Sequence, residues 1–338
     1  MSERIKIVAD SGIPFLQDRF PENVDLTTLN SGDISRDIIK DADALLVRTR
    51  TRCDASLLEG SKVRLVVTAT IGRDHIDEDW CGQNGILVES APGCNSPGVA
   101  QYVLASILRL GVNPQGKRLG IIGYGNVGSL VDRWAQGIGF ETLINDPPKS
   151  RMNSKEIKYH DLDYLISNSD IITLHVPFQQ QGEFPTYHLI GEREIQMMKP
   201  GIILINSSRG GIVDESALKK AIEKKHISTV VDVWENEPEI DRKLLEVSEI
   251  STPHIAGYSL EGKKRATKMA LEALQKHLGI PVEFKGLECM NPIEMNVTRK
   301  QIEESYNPET DSLNLKKNPE LFEKLRNHYS YRHEPVFI

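Results

Sequence analysis

Three side chains that could perform acid–base chemistry on a carboxylic acid each follow an apolar run in the second half of the chain. Arg209 follows the run at 202–206, Glu237 the run at 230–234, and His254 the run at 250–253. Because the carboxyl ends of parallel strands meet at one edge of a sheet, we expect these side chains to lie close together. An arginine can hold a carboxylate through two hydrogen bonds, a histidine can take a hydroxyl proton near neutral pH, and a neighbouring carboxylate fixes the ring. The pattern predicts oxidation of a 2-hydroxy acid, although each residue taken singly is more often a surface group.

A glycine-rich turn is the second feature with a chemical meaning. Gly123, Gly125 and Gly128 have the G-x-G-x-x-G spacing, between a predicted strand and a predicted helix. The N-terminus of that helix offers unpaired N–H groups to a pyrophosphate. Asp146 lies 18 residues after Gly128, where its carboxylate would bind ribose hydroxyls and repel a 2′-phosphate. We therefore predict an NAD site; a purely structural glycine turn is the alternative.

Both halves of the chain alternate apolar runs with polar helical stretches, which is typical of parallel sheets covered by helices. In the first half we predict strands at 5–9, 44–47, 64–68 and 86–88, and helices at 34–40, 55–59 and 77–83. In the second half we predict strands at 117–122, 142–145, 171–174, 202–205, 229–231 and 249–251, and helices at 129–136, 162–167, 192–197, 215–223 and 242–246. The predicted fold class is α/β, with two doubly wound parallel-sheet domains.

The remaining segments complete the predicted domain plan. A loop at 91–98 contains two prolines and two glycines and is a candidate hinge, and further helices are expected at 99–110 and 259–278. The last stretch is more polar, with a helical patch at 318–329. We predict a substrate-binding domain at 1–95 with 256–279, a nucleotide-binding domain at 96–255, and a small C-terminal domain at 280–338.

The composition argues against several other classes of protein. The formal charge of −7 is unfavourable for broad binding to nucleic acid or to a membrane. The chain has no apolar run of about 18 residues, and its charged start does not resemble a signal peptide, so we expect a cytoplasmic protein. The four cysteines have neither metal-ligand spacing nor the density of a disulfide framework, so we expect reduced thiols and no metal site.

Three motifs resemble signatures of the D-isomer-specific 2-hydroxyacid dehydrogenases, and the resemblance extends to about residue 278. They are Asn206-Ser207-Ser208-Arg209-Gly210-Gly211-Ile212-Val213-Asp214, Asp232-Val233-Trp234-Glu235-Asn236-Glu237-Pro238 and Thr252-Pro253-His254-Ile255-Ala256-Gly257. The resemblance implies a flavodoxin-like substrate domain and a Rossmann NAD domain, with Arg209 binding the substrate carboxylate, Glu237 supporting the histidine, and His254 as the acid/base. Besides the three glycines, the implied cofactor positions are Asn126, Val127, Asp146, Val176, Asp232 and Gly257, and the implied substrate positions are Thr49, Thr70 and Tyr258.

Other segments resemble the branch of this family that oxidises 4-phospho-D-erythronate to 2-oxo-3-hydroxy-4-phosphobutanoate in vitamin B6 synthesis. These are the stretches at 68–77, 91–95 and 255–263, and the tail at 322–329 with Arg332. The tail implies that 280–338 is a dimerisation domain and that the enzyme is a homodimer. The chain departs from the pattern at Gln101, where many relatives have a glutamate, and at Thr49, which replaces a common serine; the C-terminal domain also looks short.

A phosphorylated substrate needs cations for its phosphate. We expect Arg48 or Arg50, together with Arg73, to bind it; a solvated basic loop is the alternative. The substrate is expected to bind between the domains, which would close about the loop at 91–98. Two other functions stay open: another dehydrogenase of this family, of 3-phosphoglycerate or D-lactate type, and a non-catalytic NAD-sensing protein on the same fold.

Overall fold

The computed structural model describes residues 4–152, 157–225, 227–292 and 295–335. Their contacts divide the chain into two compact units. The first consists of Met1–Asn95 with Leu260–Met290, and the second of Ser96–Ser259 with Asn291–Ile338. Among the described residues, no helix combines the length and the apolar character that are needed to cross a bilayer.

A five-stranded parallel sheet forms the centre of the first unit. Its strands are β1 (Ile5–Asp10), β2 (Val24–Leu29), β3 (Ala44–Val47), β4 (Leu65–Thr68) and β5 (Leu87–Glu89), and the helices between them are α1 (Arg36–Ile39), α2 (Ala55–Leu58) and α3 (Glu78–Gln83). The strand order β2-β1-β3-β4-β5 is the flavodoxin-like order. Strands β3 and β4 are buried along their whole length, since both faces of a parallel sheet are covered, and this explains their continuous apolar sequences.

Strand β2 is the one element of this sheet that the sequence does not predict. It pairs with β1 and stands at the end of the strand order, so it lies at an edge, and Thr27 and Thr28 are exposed. An edge strand can stay partly solvated, so its sequence need not form an apolar run. The remaining strands of the unit agree with the predicted ones to within a residue or so.

The second unit contains a six-stranded parallel sheet with the order β11-β10-β9-β8-β6-β7. The strands are β6 (Arg118–Ile122), β7 (Glu141–Asn145), β8 (Ile171–Leu174), β9 (Ile203–Asn206), β10 (Ser228–Val231) and β11 (Ile250–Ser251). The helices are α4 (Ser96–Arg109), α5 (Asn126–Gly137), α6 (Pro147–Arg151), α7 (Leu162–Asn168), α8 (Glu192–Met197), α9 (Glu215–Lys225) and α10 (Arg242–Val247). An isolated parallel bridge from Tyr159 to Ile144 marks a residual strand outside β7. With it, the sheet has the Rossmann order, extended by one strand.

Helix α4 begins three residues before its predicted start. Ser96, Pro97 and Gly98 form its first turn instead of belonging to the predicted hinge loop. A proline is tolerated there, because an N–H in the first turn of a helix has no intrahelical acceptor. The predicted pivot is therefore shorter than 91–98, and its movement stays a prediction.

The chain after β11 contributes to both units. Helix α11 (Leu260–Leu278) packs Ala266, Ala270, Leu271 and Leu274 into the core of the first unit. Helices α12 (Arg299–Ser305), α13 (Pro308–Lys317) and α14 (Phe322–Asn327), with a 3-10 turn at Pro319–Leu321, belong to the second. Ile302, Leu315 and Phe322 are almost completely buried in its cores.

The C-terminal region therefore differs in two ways from its expected form. The helical patch predicted at 318–329 is a 3-10 turn followed by the shorter α14, since Pro319 disfavours a helical conformation for the residue before it. The described residues from 295 onward pack with α4 and β11 of the second unit, because their apolar side chains complete its cores. The separate domain at 280–338 stays a prediction.

Candidate active site

The loops that follow β9, β10 and β11 carry the three predicted catalytic residues. Strand β10 pairs with β9 on one side and with β11 on the other, and all three are parallel. Their carboxyl ends therefore lie side by side at one edge of the sheet. Arg209 follows β9, Glu237 follows β10, and His254 follows β11.

Glu237 and His254 form a direct hydrogen-bonded pair. Nδ1 of His254 lies 2.8 Å from Oε2 and 3.0 Å from Oε1 of Glu237. An ionised carboxylate only accepts hydrogen bonds, so Nδ1 carries the proton and Nε2 is the nitrogen with a lone pair. The side chains are 27% and 17% exposed, for His254 and Glu237 respectively, so the imidazole retains access for a reactant.

The surroundings of Glu237 favour its ionised form. Burial acts to raise the pKa of Glu237, but the charge and hydrogen bond of His254, the charge of Arg326 and the N–H of Trp234 outweigh it, so the pKa lies below its ordinary value. Trp234 N donates to Oε1 at 3.1 Å. Glu237 is therefore an anion at neutral pH and can stabilise an imidazolium on His254.

Asp232 holds the loop that carries His254. Its carboxylate accepts hydrogen bonds from Ile255 N at 2.8 Å, Ala256 N at 2.9 Å and Thr252 Oγ1 at 2.6 Å. His254 has a φ of 58°, in the left-handed region, which costs a residue with a side chain on the order of 1 kcal/mol. Burial raises the pKa of Asp232, against the effect of these hydrogen bonds. Asp232, predicted as a cofactor contact, thus anchors the loop that carries His254.

The loop of Arg209 lies against the loop of Glu237. A Cβ on Gly210 would lie 1.8 Å from Trp234 O, so only glycine permits this approach. Asn206, at the end of β9, donates from its amide to Arg209 O at 3.0 Å, and Arg209 Nη1 donates to Ser208 O at 2.8 Å. The turn that presents Arg209 is therefore shaped by its own backbone.

Two glutamates link the start of α9 to the loop after β10. Glu215 N donates to Glu235 Oε1 at 3.1 Å, and Glu235 N donates to Glu215 Oε1 at 2.8 Å. Burial raises the pKa of Glu215 to about 7, and the charge of Glu235 acts in the same direction. This reciprocal pair fixes the base of the loop in which Glu237 lies.

The glycine-rich turn has the shape that a dinucleotide requires. A Cβ on Gly128 would lie 2.0 Å from Gly123 O, and Gly123 itself has a φ of 91°. A Cβ on Gly125 would meet no atom within 4 Å, so there is open space for a pyrophosphate beside the backbone. Asn126 and Val127 open α5 at this point. These residues fit NAD, with the N-terminus of α5 toward the phosphates.

Asp146 lies beside this turn, at the end of β7. Its Oδ2 accepts from Tyr124 N at 2.8 Å and its Oδ1 from Lys149 N at 3.0 Å. The carboxylate thereby ties the glycine-rich turn to the start of α6. Val176 is next to the turn, because its Cγ1 would lie 2.9 Å from a Cβ on Gly123.

Comparisons with known proteins agree with this geometry. A family model described as "D-isomer specific 2-hydroxyacid dehydrogenase, NAD binding domain" matches residues 104–256. An erythronate-4-phosphate dehydrogenase of Bacteroides thetaiotaomicron is 43% identical over 98% of this chain and 97% of its own length. One of Escherichia coli O127:H6 is 38% identical over 98% of this chain and 92% of its own. The chain belongs to the erythronate-4-phosphate dehydrogenase family.

Solved structures show the same fold. D-lactate dehydrogenase from Aquifex aeolicus, complexed with NAD and lactic acid, is 24% identical with a TM-score of 0.67, over 81% of this chain and 95% of that one. NAD-bound 3-phosphoglycerate dehydrogenase from Entamoeba histolytica is 25% identical with a TM-score of 0.65, over 80% and 95% respectively. This erythronate-4-phosphate dehydrogenase family member is an NAD-dependent dehydrogenase, and the predicted family, fold class and cofactor are confirmed.

The implied substrate positions are distributed over both units. Tyr258 is in the second unit, four residues after His254, and Gly257 precedes it. Thr49 and Thr70 are in the first unit, after β3 and β4. Thr70 Oγ1 lies 2.7 Å from Thr68 Oγ1.

Two of the three arginines considered for the phosphate, Arg48 and Arg73, are held by acidic partners in the first unit. Arg48 Nε donates to Oδ2 of the buried Asp10 at 3.2 Å, and its guanidinium covers Gly12. Arg73 Nη1 is paired with Glu78 at 2.8 Å. These pairs fix the directions of both side chains.

Sequence reasoning missed the contacts of two arginines that lie beside Glu237 and the loop of His254. Arg326 is paired with Glu237, and Arg332 donates to backbone carbonyls at 255–258. Gln101, noted as a departure, is fully buried and accepts from Arg332 Nε at 2.9 Å. The similarity of the tail included both arginines but gave no indication of their contacts.

The buried Glu215 makes stability depend on pH. Its folded pKa of about 7 is above the ordinary value of 4.5, so the stability that it contributes is complete below about pH 4.5 and is lost as pH rises through 7. Glutamine keeps the acceptor for Glu235 N and cannot ionise. We expect Glu215→Gln to lose less stability than the wild type between pH 5 and pH 8, by on the order of 2 kcal/mol, in urea unfolding.

The exposed Glu239→Gln is the matched control and should follow the wild type. Equal losses of unfolding free energy in Glu215→Gln and the wild type would show that Glu215 does not hold a proton in the native state.

Proposed function

We propose that this enzyme oxidises 4-phospho-D-erythronate to 2-oxo-3-hydroxy-4-phosphobutanoate with NAD, in the synthesis of pyridoxal 5′-phosphate. The observation that carries the proposal is the Glu237–His254 pair at the sheet edge, with Arg209 on the adjoining loop. The curated relatives named erythronate-4-phosphate dehydrogenase support this substrate over others of the family.

We assign each residue a role in this reaction, supported by its position at the sheet edge. Arg209 holds the substrate carboxylate by two parallel hydrogen bonds. Nε2 of His254 takes the proton of the C2 hydroxyl, because Nδ1 is already bonded to Glu237. Glu237 then stabilises the imidazolium that forms. NAD, when bound, supplies the acceptor for the hydride that leaves C2.

The cofactor would be held by residues of the second unit. The N–H groups at Asn126 and Val127 would bind the pyrophosphate, and Asp146 would accept from the ribose hydroxyls. Asp232, Gly257 and the backbone of Val176 complete the proposed cofactor set. Thr49, Thr70 and Tyr258 are proposed to contact the substrate.

A comparative turnover assay tests the function. We expect NAD reduction to be fastest, in kcat/KM, with 4-phosphoerythronate, and slower with 3-phosphoglycerate and D-lactate. His254→Gln should lower kcat by about a thousandfold, because the proton acceptor is lost. Preference for either other acid would assign the chain to another dehydrogenase type, and NAD binding without turnover of any acid would favour a sensing protein.

Arg48 is proposed to bind the phosphate of the substrate. Asp10 holds its Nε, and the Arg48 side chain is 23% exposed, so the guanidinium is oriented and still accessible. Arg48→Gln should raise KM for 4-phosphoerythronate about tenfold or more, since a hydrogen bond to a charged group contributes about 1.5–3 kcal/mol.

The KM for unphosphorylated erythronate should not change in Arg48→Gln. The control is Arg52→Gln, at a side chain that is 83% exposed. If Arg48→Gln changes KM equally for both acids, the residue does not read the phosphate.

We also propose that the enzyme is a cytoplasmic homodimer. None of the four cysteines, all of which the structure describes, forms a disulfide, as expected in a reducing compartment. Leu313 on α13 is a large apolar side chain that is 56% exposed. Light scattering on enzyme from the cytosolic fraction should give the mass of two chains. Leu313→Asp should lower the measured mass toward that of one chain. A mass of one chain for the wild type would contradict the dimer.

A further inference from the structure

We propose that Arg326, on helix α14 of the C-terminal segment, is a positioning residue for the Glu237–His254 pair. The inference rests on the proposed function, because it assigns a role behind the same base. It gives residues near the C-terminus a part in catalysis within their own chain, in addition to any contact with a second subunit.

Arg326 reaches the catalytic carboxylate directly. Its Nη1 lies 3.2 Å from Glu237 Oε2, and the side chains of Arg326 and Glu237 are only 12% and 17% exposed. Arg326 also makes a side-chain hydrogen bond with Tyr258, the proposed substrate contact. The guanidinium of Arg326 therefore connects Glu237, which supports the proposed base, to Tyr258, which lies on the same loop as His254.

The position of the Glu237 carboxylate depends on donors from three places in the fold. Oε1 accepts from Trp234 N, Oε2 accepts from Arg326, and Nδ1 of His254 lies within 3.0 Å of both oxygens. A carboxylate with donors on both oxygens has one orientation. Without Arg326, Oε2 of Glu237 would keep the His254 imidazole as its donor but lose the guanidinium. The carboxylate and the imidazole ring could then rotate together.

Arg326 also sets the electrostatic balance of the pair. Charged groups from three elements act here: Glu237 and Asp232 from the end of β10 and its loop, His254 from the loop after β11, and Arg326 from α14. The guanidinium offsets part of the negative charge that would otherwise favour an imidazolium. Removal of this cation would leave the negative charges of Glu237 and Asp232 beside the imidazole without that compensation.

The guanidinium of Arg326 is always charged in this setting. Burial acts to lower the pKa of Arg326, but the phenol of Tyr258 and the carboxylate of Glu237 outweigh it, so the pKa is raised. Its effect on the pair is therefore constant over the pH range of an assay.

The segment that carries Arg326 is fastened to the same loop by a second arginine. Arg332 is partly buried and donates to the carbonyls of Ile255 at 3.0 Å, Tyr258 at 3.2 Å and Gly98 at 3.0 Å, and also to that of Ala256. Its guanidinium lies 4.2 Å from the ring centroid of Tyr306. These bonds fix the backbone on the C-terminal side of His254.

Aromatic and apolar packing completes the attachment. The rings of Tyr329 and Tyr331 meet Tyr258 edge-on, with centroids 6.1 and 6.3 Å from its own. Phe322, at the start of α14, is 1% exposed in the core of the second unit. Helix α14 is therefore held in place independently of Arg326, so a change at Arg326 can be made without removing the helix.

The test compares Arg326→Gln and Arg326→Lys with the wild type. In Arg326→Gln we expect kcat for 4-phosphoerythronate to fall about tenfold to a hundredfold, the usual effect of losing an outer partner that orients a functional residue, while KM changes little. The acid limb of the kcat/KM profile should move to higher pH by about half to one unit, because the base must be neutral. Arg326→Lys keeps the positive charge. Its acid limb should therefore lie at the wild-type pH, and its kcat should be between those of Arg326→Gln and the wild type.

The matched control is Arg299→Gln, which removes an arginine of the same segment that is 48% exposed and paired with Glu303. It should match the wild type in kcat and in pH profile. If Arg326→Gln does not fold, the test rests on Arg326→Lys. A reduced kcat with the acid limb of the pH profile unchanged supports the positioning role. A wild-type kcat together with a wild-type acid limb contradicts it.

Two outcomes would overturn the assignment for a folded Arg326→Gln. One is a profile and kcat equal to those of Arg299→Gln. The other is a rise in KM at constant kcat, which would mean that Arg326 binds the substrate itself. Absence of turnover in the wild type would instead refute the proposed function.

Discussion

The hydrogen bond from Nδ1 of His254 to Glu237 determines which ring nitrogen can meet a reactant. With Nδ1 as the donor, the lone pair is on Nε2, and the 27% exposure of the side chain leaves it reachable. The ionised state of Glu237 is required for this arrangement, because a protonated carboxyl could donate in place of accepting. The donors around Glu237 thus decide the acid–base property of the histidine.

The sheet brings these groups together at small cost in backbone distortion. Three parallel neighbours, β9, β10 and β11, end at one edge, so their loops need only a few residues each to present Arg209, Glu237 and His254. Two of the points at which these loops depart from ordinary backbone geometry are Gly210 and His254. Gly210 lies against Trp234 O, and His254 has a left-handed backbone that Asp232 holds through hydrogen bonds to the residues after it.

The features that the sequence predicts correctly are those with a local signal. Buried parallel strands are apolar runs, so β3 and β8 are predicted to the residue, and β2 is missed because an edge strand lacks that pattern. The glycine-rich turn and Asp146 can be identified from spacing alone. Arg326 has no such signal, since its partner Glu237 is 89 residues away and nothing in the spacing of an arginine indicates a buried carboxylate. Helices α12 and α13 were not predicted, because their sequences are polar and they bury only a few side chains.

Partly buried arginines are a costly means of holding a loop, and the reason for them lies in what the loop contains. Desolvation of a guanidinium is costly, and well-packed apolar residues often stabilise a protein as well or better. Apolar side chains cannot satisfy the carbonyls of 255–258, nor keep Glu237 ionised when it is mostly buried. Arg332 donates to these carbonyls and Arg326 pairs with Glu237, and both arginines lie in one short segment. The charges of Arg326 and Arg332 contribute little net stability, but they favour the loop geometry in which we propose that His254 acts as a base.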